Sequence, residues 1–184
     1  MHVKLTPLHA LSADGRNVVG DALGQLDVPV AGQSDGRALV AHQLDRAPFT
    51  SWSVLRDNMV AGVFAIAPTV TFPGVETSVY ITPGHRRKGV NTAIYRAAIT
   101  AARDCRIDLS ACVALDNTDS LAAHHSLFQT PCPTDTNPTG EWIRYRINEG
   151  DLPEGWTDPS LVETVTIGLQ EARAVWNPEA LGYR

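Results

Sequence analysis

The residues best suited to chemistry lie in one run, Ser78 to Ile99: Ser-Val-Tyr-Ile-Thr-Pro-Gly-His-Arg-Arg-Lys-Gly-Val-Asn-Thr-Ala-Ile-Tyr-Arg-Ala-Ala-Ile. It opens as a β-branched, aromatic strand, breaks at Pro83-Gly84 and turns basic at Arg86, Arg87 and Lys88. After Gly89 it becomes helical, with Val90, Ala93, Ile94, Ala97, Ala98 and Ala101 at the spacing of one buried face. A strand, a basic turn and a helix N-terminus together make a site for a phosphate-bearing ligand. The first-turn N–H groups have no intrahelical acceptor, and the macrodipole places partial positive charge there. The three cations add full charge, and Gly89 lets a ligand approach the backbone with no Cβ in the way. The phosphate loop Gly-x-x-x-x-Gly-Lys-Ser/Thr does not occur in the chain.

The elements around this run follow from periodicity and turn chemistry. Residues 2 to 7 alternate as a first strand, and Ser51 to Asn58 read as a second strand running into a turn. Met59 to Pro68 and Val75 to Thr82 pair as a hairpin, and Ile107 to Leu115 form a mostly apolar strand. A short helix follows Asn117, and Glu141 to Ile147 alternate as a late strand. Between Leu8 and Ser51 the pattern is weak, punctuated by Asp-Gly at 14–15 and 35–36. Pro131 to Gly140 is a loop by its prolines and threonines. Trp52, Phe64 and Phe72 read as core.

The tail has its own helix signal. Asp158-Pro159 supplies an N-cap and a first-turn proline. Val162, Val165, Leu169, Ala172 and Trp176 then form one apolar stripe, on a helix that ends before Pro178. That stripe packs on its own domain, forms a dimer contact, or lies as a lid over a site. The organisation expected is a domain over 1–150 and a helical extension over 151–184 packed on the same domain.

Composition narrows the class. The chain has 184 residues, 43% of them apolar, and a net charge of −5; these values suit one domain with a sizeable core. An acidic chain with a local basic turn suits a small polyphosphate better than a nucleic acid. Cys105, Cys112 and Cys132 are odd in number and show no Cys-x-x-Cys spacing; Cys105 and Cys112 read as buried free thiols, which points to a reducing cytoplasm. The N-terminal Met-His-Val-Lys-Leu-Thr-Pro carries no apolar core of signal-peptide length, and no window is apolar over the span of a bilayer. Adjacent His124 and His125 diverge on a helix, so with Cys132 they make no metal site.

The turn resembles the acyl-CoA-binding signature of the GNAT N-acetyltransferases, Arg/Gln-x-x-Gly-x-Gly/Ala three residues after a strand-ending proline. Here Pro83, Arg86 and Gly89 match in register, while Asn91 replaces the small residue. The resemblance extends over roughly Trp52 to Arg146. It includes Gly62 in the preceding strand and Asn117 after the following one. Where the family carries a Tyr seven residues after that Asn, this chain has His124, and no Gly-Phe follows.

What the resemblance implies is an α/β (α+β) GNAT fold, a central, mixed, mostly antiparallel sheet flanked by helices, with a C-terminal helical extension. It implies acetyl-CoA as cosubstrate, no metal, and direct acetyl transfer to a primary amine of a small molecule or peptide in a ternary complex. The backbone of Val79, Tyr80 and Ile81 would bond the pantetheine arm. Arg86, Arg87, Lys88, Gly89, Val90, Asn91 and Thr92 would hold the pyrophosphate, joined in cofactor binding by Asn117. His124 takes the place of the thiolate-protonating Tyr, and an imidazole suits either acid or base work. Glu76 lies near the family's carboxylate base and shares a strand face with Ser78 and Tyr80; Tyr80 is the alternative acid. A catalytically degenerate acyl-CoA-binding protein of the same fold is the competing reading.

Overall fold

The computed structural model describes residues 2–69, 74–127, 141–147, 155–177 and 179. Six strands form one sheet: β1 (Val3–Pro7), β4 (Ser51–Arg56), β5 (Met59–Pro68), β6 (Val75–Ile81), β7 (Leu109–Ala114) and β8 (Trp142–Ile147), side by side in that order. Every neighbouring pair is antiparallel except β6 and β7. The mixed, mostly antiparallel sheet is therefore as expected, and so is the β5–β6 hairpin.

The weakly patterned N-terminal stretch is more regular than its sequence suggests. It holds α1 (Ala13–Leu23), a hairpin of β2 (Gln25–Val30) and β3 (Gln33–Asp35), and α2 (Gly36–Arg46). Ser12 caps α1 by accepting from Gly15 N–H at 3.1 Å. Asp35 caps α2 by accepting from Arg37 and Ala38 N–H at 2.9 and 3.1 Å. Both caps satisfy donors that a helix start leaves open.

Strand alternation assigns the two faces. Trp52, Phe64, Val75 and Ile81 join the core beneath α3 (Val90–Cys105) and α5 (Pro159–Arg173), whereas Val63 and Tyr80 face α1 and α2. The Trp52 and Phe64 rings stack at 5.3 Å, both fully buried. Phe72, Cys132 and the Pro131–Gly140 segment lie outside the described residues.

Helix α5 starts as its sequence dictates, with Asp158 accepting from Ser160 N–H at 2.9 Å and Pro159 in the first turn. Its buried side is Leu161, Val165, Gly168, Leu169 and Ala172, continued by Trp176, while Val162 is half-buried. Each fully buried Leu or Val contributes roughly 1.5–3 kcal/mol of transfer free energy.

Gly168 permits the close approach of this helix to β4. A Cβ there would meet the Trp52 ring at 2.6 Å and the Phe49 carbonyl oxygen at 2.8 Å. Gly168→Val is expected to destabilise the fold by about 1–3 kcal/mol, the usual cost of overpacking. A calorimetric melt checks it: an unchanged midpoint would mean that α5 does not bear on β4.

Candidate active site

Beyond their first paired residues β6 and β7 part. Pairing covers only Val75, Glu76 and Thr77 against Leu109, Ser110 and Ala111, although β6 runs on to Ile81 and β7 to Ala114. Val75 N–H bonds the Asp108 carbonyl at 3.0 Å, so the alternating backbone groups of Thr77, Val79 and Ile81 are turned toward β7. The result is a cleft edged by strand groups with no strand opposite among the described residues, the shape an extended amide-bearing chain would fill. Val79 and Ile81, two of the residues the signature nominates, turn their backbone groups into this gap. Tyr80 is a correction: its backbone groups face β5, opposite Val63, and only its side chain belongs to the site.

The cleft leads to the basic turn. A 3-10 turn at Pro83–His85 is followed by Arg87 with φ 57° and Gly89 with φ 73°. Helix α3 has no side-chain cap, and its first intrahelical bond runs from Ala93 N–H to the Gly89 carbonyl. The N–H groups of Val90, Asn91 and Thr92 are thus left open to a ligand. Arg87, Lys88 and Gly89 are exposed, and Lys88 Nζ donates to the Gly84 carbonyl at 2.5 Å. Asn91 keeps a buried side-chain oxygen without a partner among the described residues. Open donors, exposed cations and a left-handed glycine fit a pyrophosphate. Asn117 spends its side-chain oxygen on capping α4 (Thr118–Leu127), accepting from Ser120 N–H at 3.1 Å.

Arg86 departs from the expected role of a free cation. Its Nη1 and Nη2 bond both oxygens of Asp27 at 2.5 and 2.6 Å, and its Nε bonds the Ile81 carbonyl at 2.9 Å. Tyr80 donates its hydroxyl to Asp27 at 3.0 Å, and the guanidinium lies 5.7 Å from the centre of the Tyr80 ring. The bonds from Arg86 hold the Asp27 carboxyl below its usual range. Burial, reinforced by the bond to Asp27, raises the Tyr80 hydroxyl. Asp27 sits on β2, where only the alternation of Leu26, Val28 and Val30 hints at a strand, so its part in the site was not legible.

His124 lies on the other face of the sheet. Its Nδ1–H donates to the Ser120 carbonyl at 2.7 Å, which leaves Nε2 to accept from the Tyr95 hydroxyl at 3.1 Å. The Tyr95 oxygen is in turn 3.3 Å from the Thr77 hydroxyl, at the point where β6 and β7 part. Burial pushes the Tyr95 hydroxyl up to about 12. The imidazole is 7% exposed, and burial lowers its pKa. It is therefore neutral at pH 7, with both nitrogens engaged.

A neutral buried histidine has a pH signature. Because its folded pKa lies below the unfolded value, the unfolded chain binds the extra proton over that interval. Stability should be complete above about pH 6.5 and fall as the pH drops toward the folded pKa. His124→Gln should flatten this limb in denaturant titrations below about pH 6.5; an unaltered limb would show that another group titrates.

Glu76, Ser78 and Tyr80 share the face opposite His124. Gln43 of α2 donates Nε2 to the Ser78 hydroxyl at 3.2 Å. Half-buried Glu76 neighbours Cys112, whose thiol is raised by burial first and then by the Glu76 charge. Arg144 of β8 donates Nε to the same sulfur at 3.2 Å. The structure thus brings Glu76 and Tyr80 to one side of the cleft and His124 to the other. Among the described residues no cluster of His, Cys, Asp or Glu could hold a metal. No described helix is long and apolar enough to cross a membrane.

Comparison with known proteins agrees with this geometry. The Acetyltransferase (GNAT) family matches residues 22–128. An acetyltransferase from Agrobacterium tumefaciens is 18% identical, with a TM-score of 0.62 over 80% of this chain and 91% of its own. The putative acetyltransferase yncA from Salmonella typhimurium, solved with its cofactor acetyl-CoA, is 19% identical, with a TM-score of 0.51 over 86% and 97%. The N-acetyltransferase PseH from Campylobacter jejuni, in complex with acetyl coenzyme A, is 15% identical, with a TM-score of 0.53 over 80% and 99%. No curated protein matches the chain in sequence.

Proposed function

Because the chain belongs to the GNAT acetyltransferase family, we propose that it is an acetyl-CoA-dependent N-acetyltransferase acting on a primary amine of a small molecule or protein. The observation that carries this reading is the parting of β6 and β7 beside a turn whose helix N–H groups are open. Val79 and Ile81 would bond the pantetheine arm. The N–H groups of residues 87–92, with Arg87 and Lys88, would hold the pyrophosphate. Bound there, acetyl-CoA supplies an acetyl group already activated as a thioester.

The chain's own residues then do four things. The cleft holds both reactants in one orientation, which accounts for a large part of the acceleration in such transfers. Glu76 takes a proton from the acceptor's ammonium, directly or through a water, so that the free amine can attack the thioester carbonyl as the C–S bond breaks; the departing thiolate takes its proton from solvent water. Tyr80 lines the same side, its hydroxyl held by Asp27. His124 donates no proton from an imidazolium at neutral pH; through Tyr95 it steadies Thr77, where the strands part. Cys105 and Cys112, which form no disulfide with each other, suit a cytoplasmic location.

A second reading, a catalytically degenerate acyl-CoA-binding protein, is favoured by the one observation that the histidine in the acid's place is buried and neutral. Incubation with acetyl-CoA and a panel of polyamines, amino sugars, amino acids and peptides, followed by mass detection, separates the two. Acetylated amine supports the enzyme. Acetyl-CoA binding without any product across the panel supports the degenerate reading.

A further inference from the structure

The Arg86–Asp27 pair joins segments 59 residues apart, and no step of the proposed transfer uses it. Asp27 is on the hairpin between α1 and α2; Arg86 is in the turn that leads to α3. Three guanidinium nitrogens are committed, two to Asp27 and one to the Ile81 carbonyl. The fork geometry gives such a pair directional precision that a Lys could not reproduce. With the two side chains 31% and 40% exposed, the pair matters for its geometry more than for bulk stability.

We propose that Asp27 is a positioning residue of the acyl-CoA site, acting through Arg86 to hold the turn in the shape that aims its N–H groups at the pyrophosphate. The proposal rests on the reading of this turn as the acyl-CoA site. The turn needs such a hold. Arg87, the next residue, has a positive φ of 57° without being a glycine, a conformation that persists only where surrounding contacts over-determine it. Arg86 provides that constraint by bracing the turn against both the end of β6 and the β2 carboxylate. The same carboxylate fixes the Tyr80 hydroxyl, so the β2–β3 hairpin, β6 and the cofactor turn are held by one group. Arg86 therefore serves the phosphate indirectly, through backbone shape.

The opposite role is physically conceivable. Asp27 could compete with phosphate for Arg86, in which case removing it would tighten binding. Calorimetric titration with CoA itself, which undergoes no transfer, distinguishes the two. Asp27→Asn, which keeps the size and the capacity to accept from Tyr80 but loses the charge, should weaken CoA binding at least fivefold. Asp27→Glu should recover most of that loss, because the carboxylate can still meet the fork. Arg86→Lys, which keeps the cation but loses the fork, should weaken binding as Asp27→Asn does. Rescue by the conservative carboxylate, with melting temperatures measured alongside, separates positioning from loss of fold. Equal or tighter CoA binding by Asp27→Asn overturns the proposal, as does full affinity in Arg86→Lys. A wild-type protein that binds no CoA would instead overturn the acyl-CoA reading on which the proposal rests.

Discussion

Gly89→Val is expected to abolish the rise in melting temperature that acetyl-CoA gives the wild-type protein. Gly89 has a φ of 73° at the cap of α3, a conformation that costs an L residue about 1–2 kcal/mol. The new side chain would also stand where phosphate must meet the backbone. A ligand at a hundred times its Kd stabilises by about 2.7 kcal/mol. In a chain of 184 residues that is a rise of roughly 5–10 °C. The variant should melt lower than wild type without ligand and show no rise with it. A variant that gains as much from acetyl-CoA as wild type would place the phosphate elsewhere.

Glu76→Gln carries the largest kinetic effect. If the carboxylate takes the ammonium proton, the turnover number should fall by ~10²–10⁴-fold, while the acetyl-CoA dissociation constant stays nearly unchanged. Were Glu76 only to attract a cationic acceptor, the acceptor KM would rise and the turnover number would hold. Less than a twofold change in either parameter would remove Glu76 from the reaction.

Local pattern made the strand, basic turn and helix legible from the sequence, because each rests on residues close in the chain. Pro83 ends β6, Gly89 supplies the left-handed cap, and the alanine-rich stripe buries α3. The hairpin of β5 with β6 was readable for the same reason. The first fifty residues were not, since α1 and α2 start at polar caps, Ser12 and Asp35, with modest apolar faces between them. The partners of Arg86 and His124 were beyond reach for a different reason. A basic run says that charge is present, but which cation is spent on Asp27 depends on a contact across 59 residues. Likewise, His124 occupies the family's tyrosine position, and nothing near it in sequence announces that Tyr95, 29 residues away, takes its Nε2.

The central claim is that acetyl-CoA occupies the β6–β7 cleft and the turn before α3. Calorimetric titration of acetyl-CoA into the wild-type protein and into the Arg87→Glu, Lys88→Glu double variant tests it most directly. Both positions are exposed, so the variant should fold. Charge-assisted bonds to phosphate contribute ~1.5–3 kcal/mol each. Saturable one-to-one binding to wild type is expected, weakened at least tenfold in the double variant. No binding by wild type, or equal affinity in a folded double variant, would contradict it.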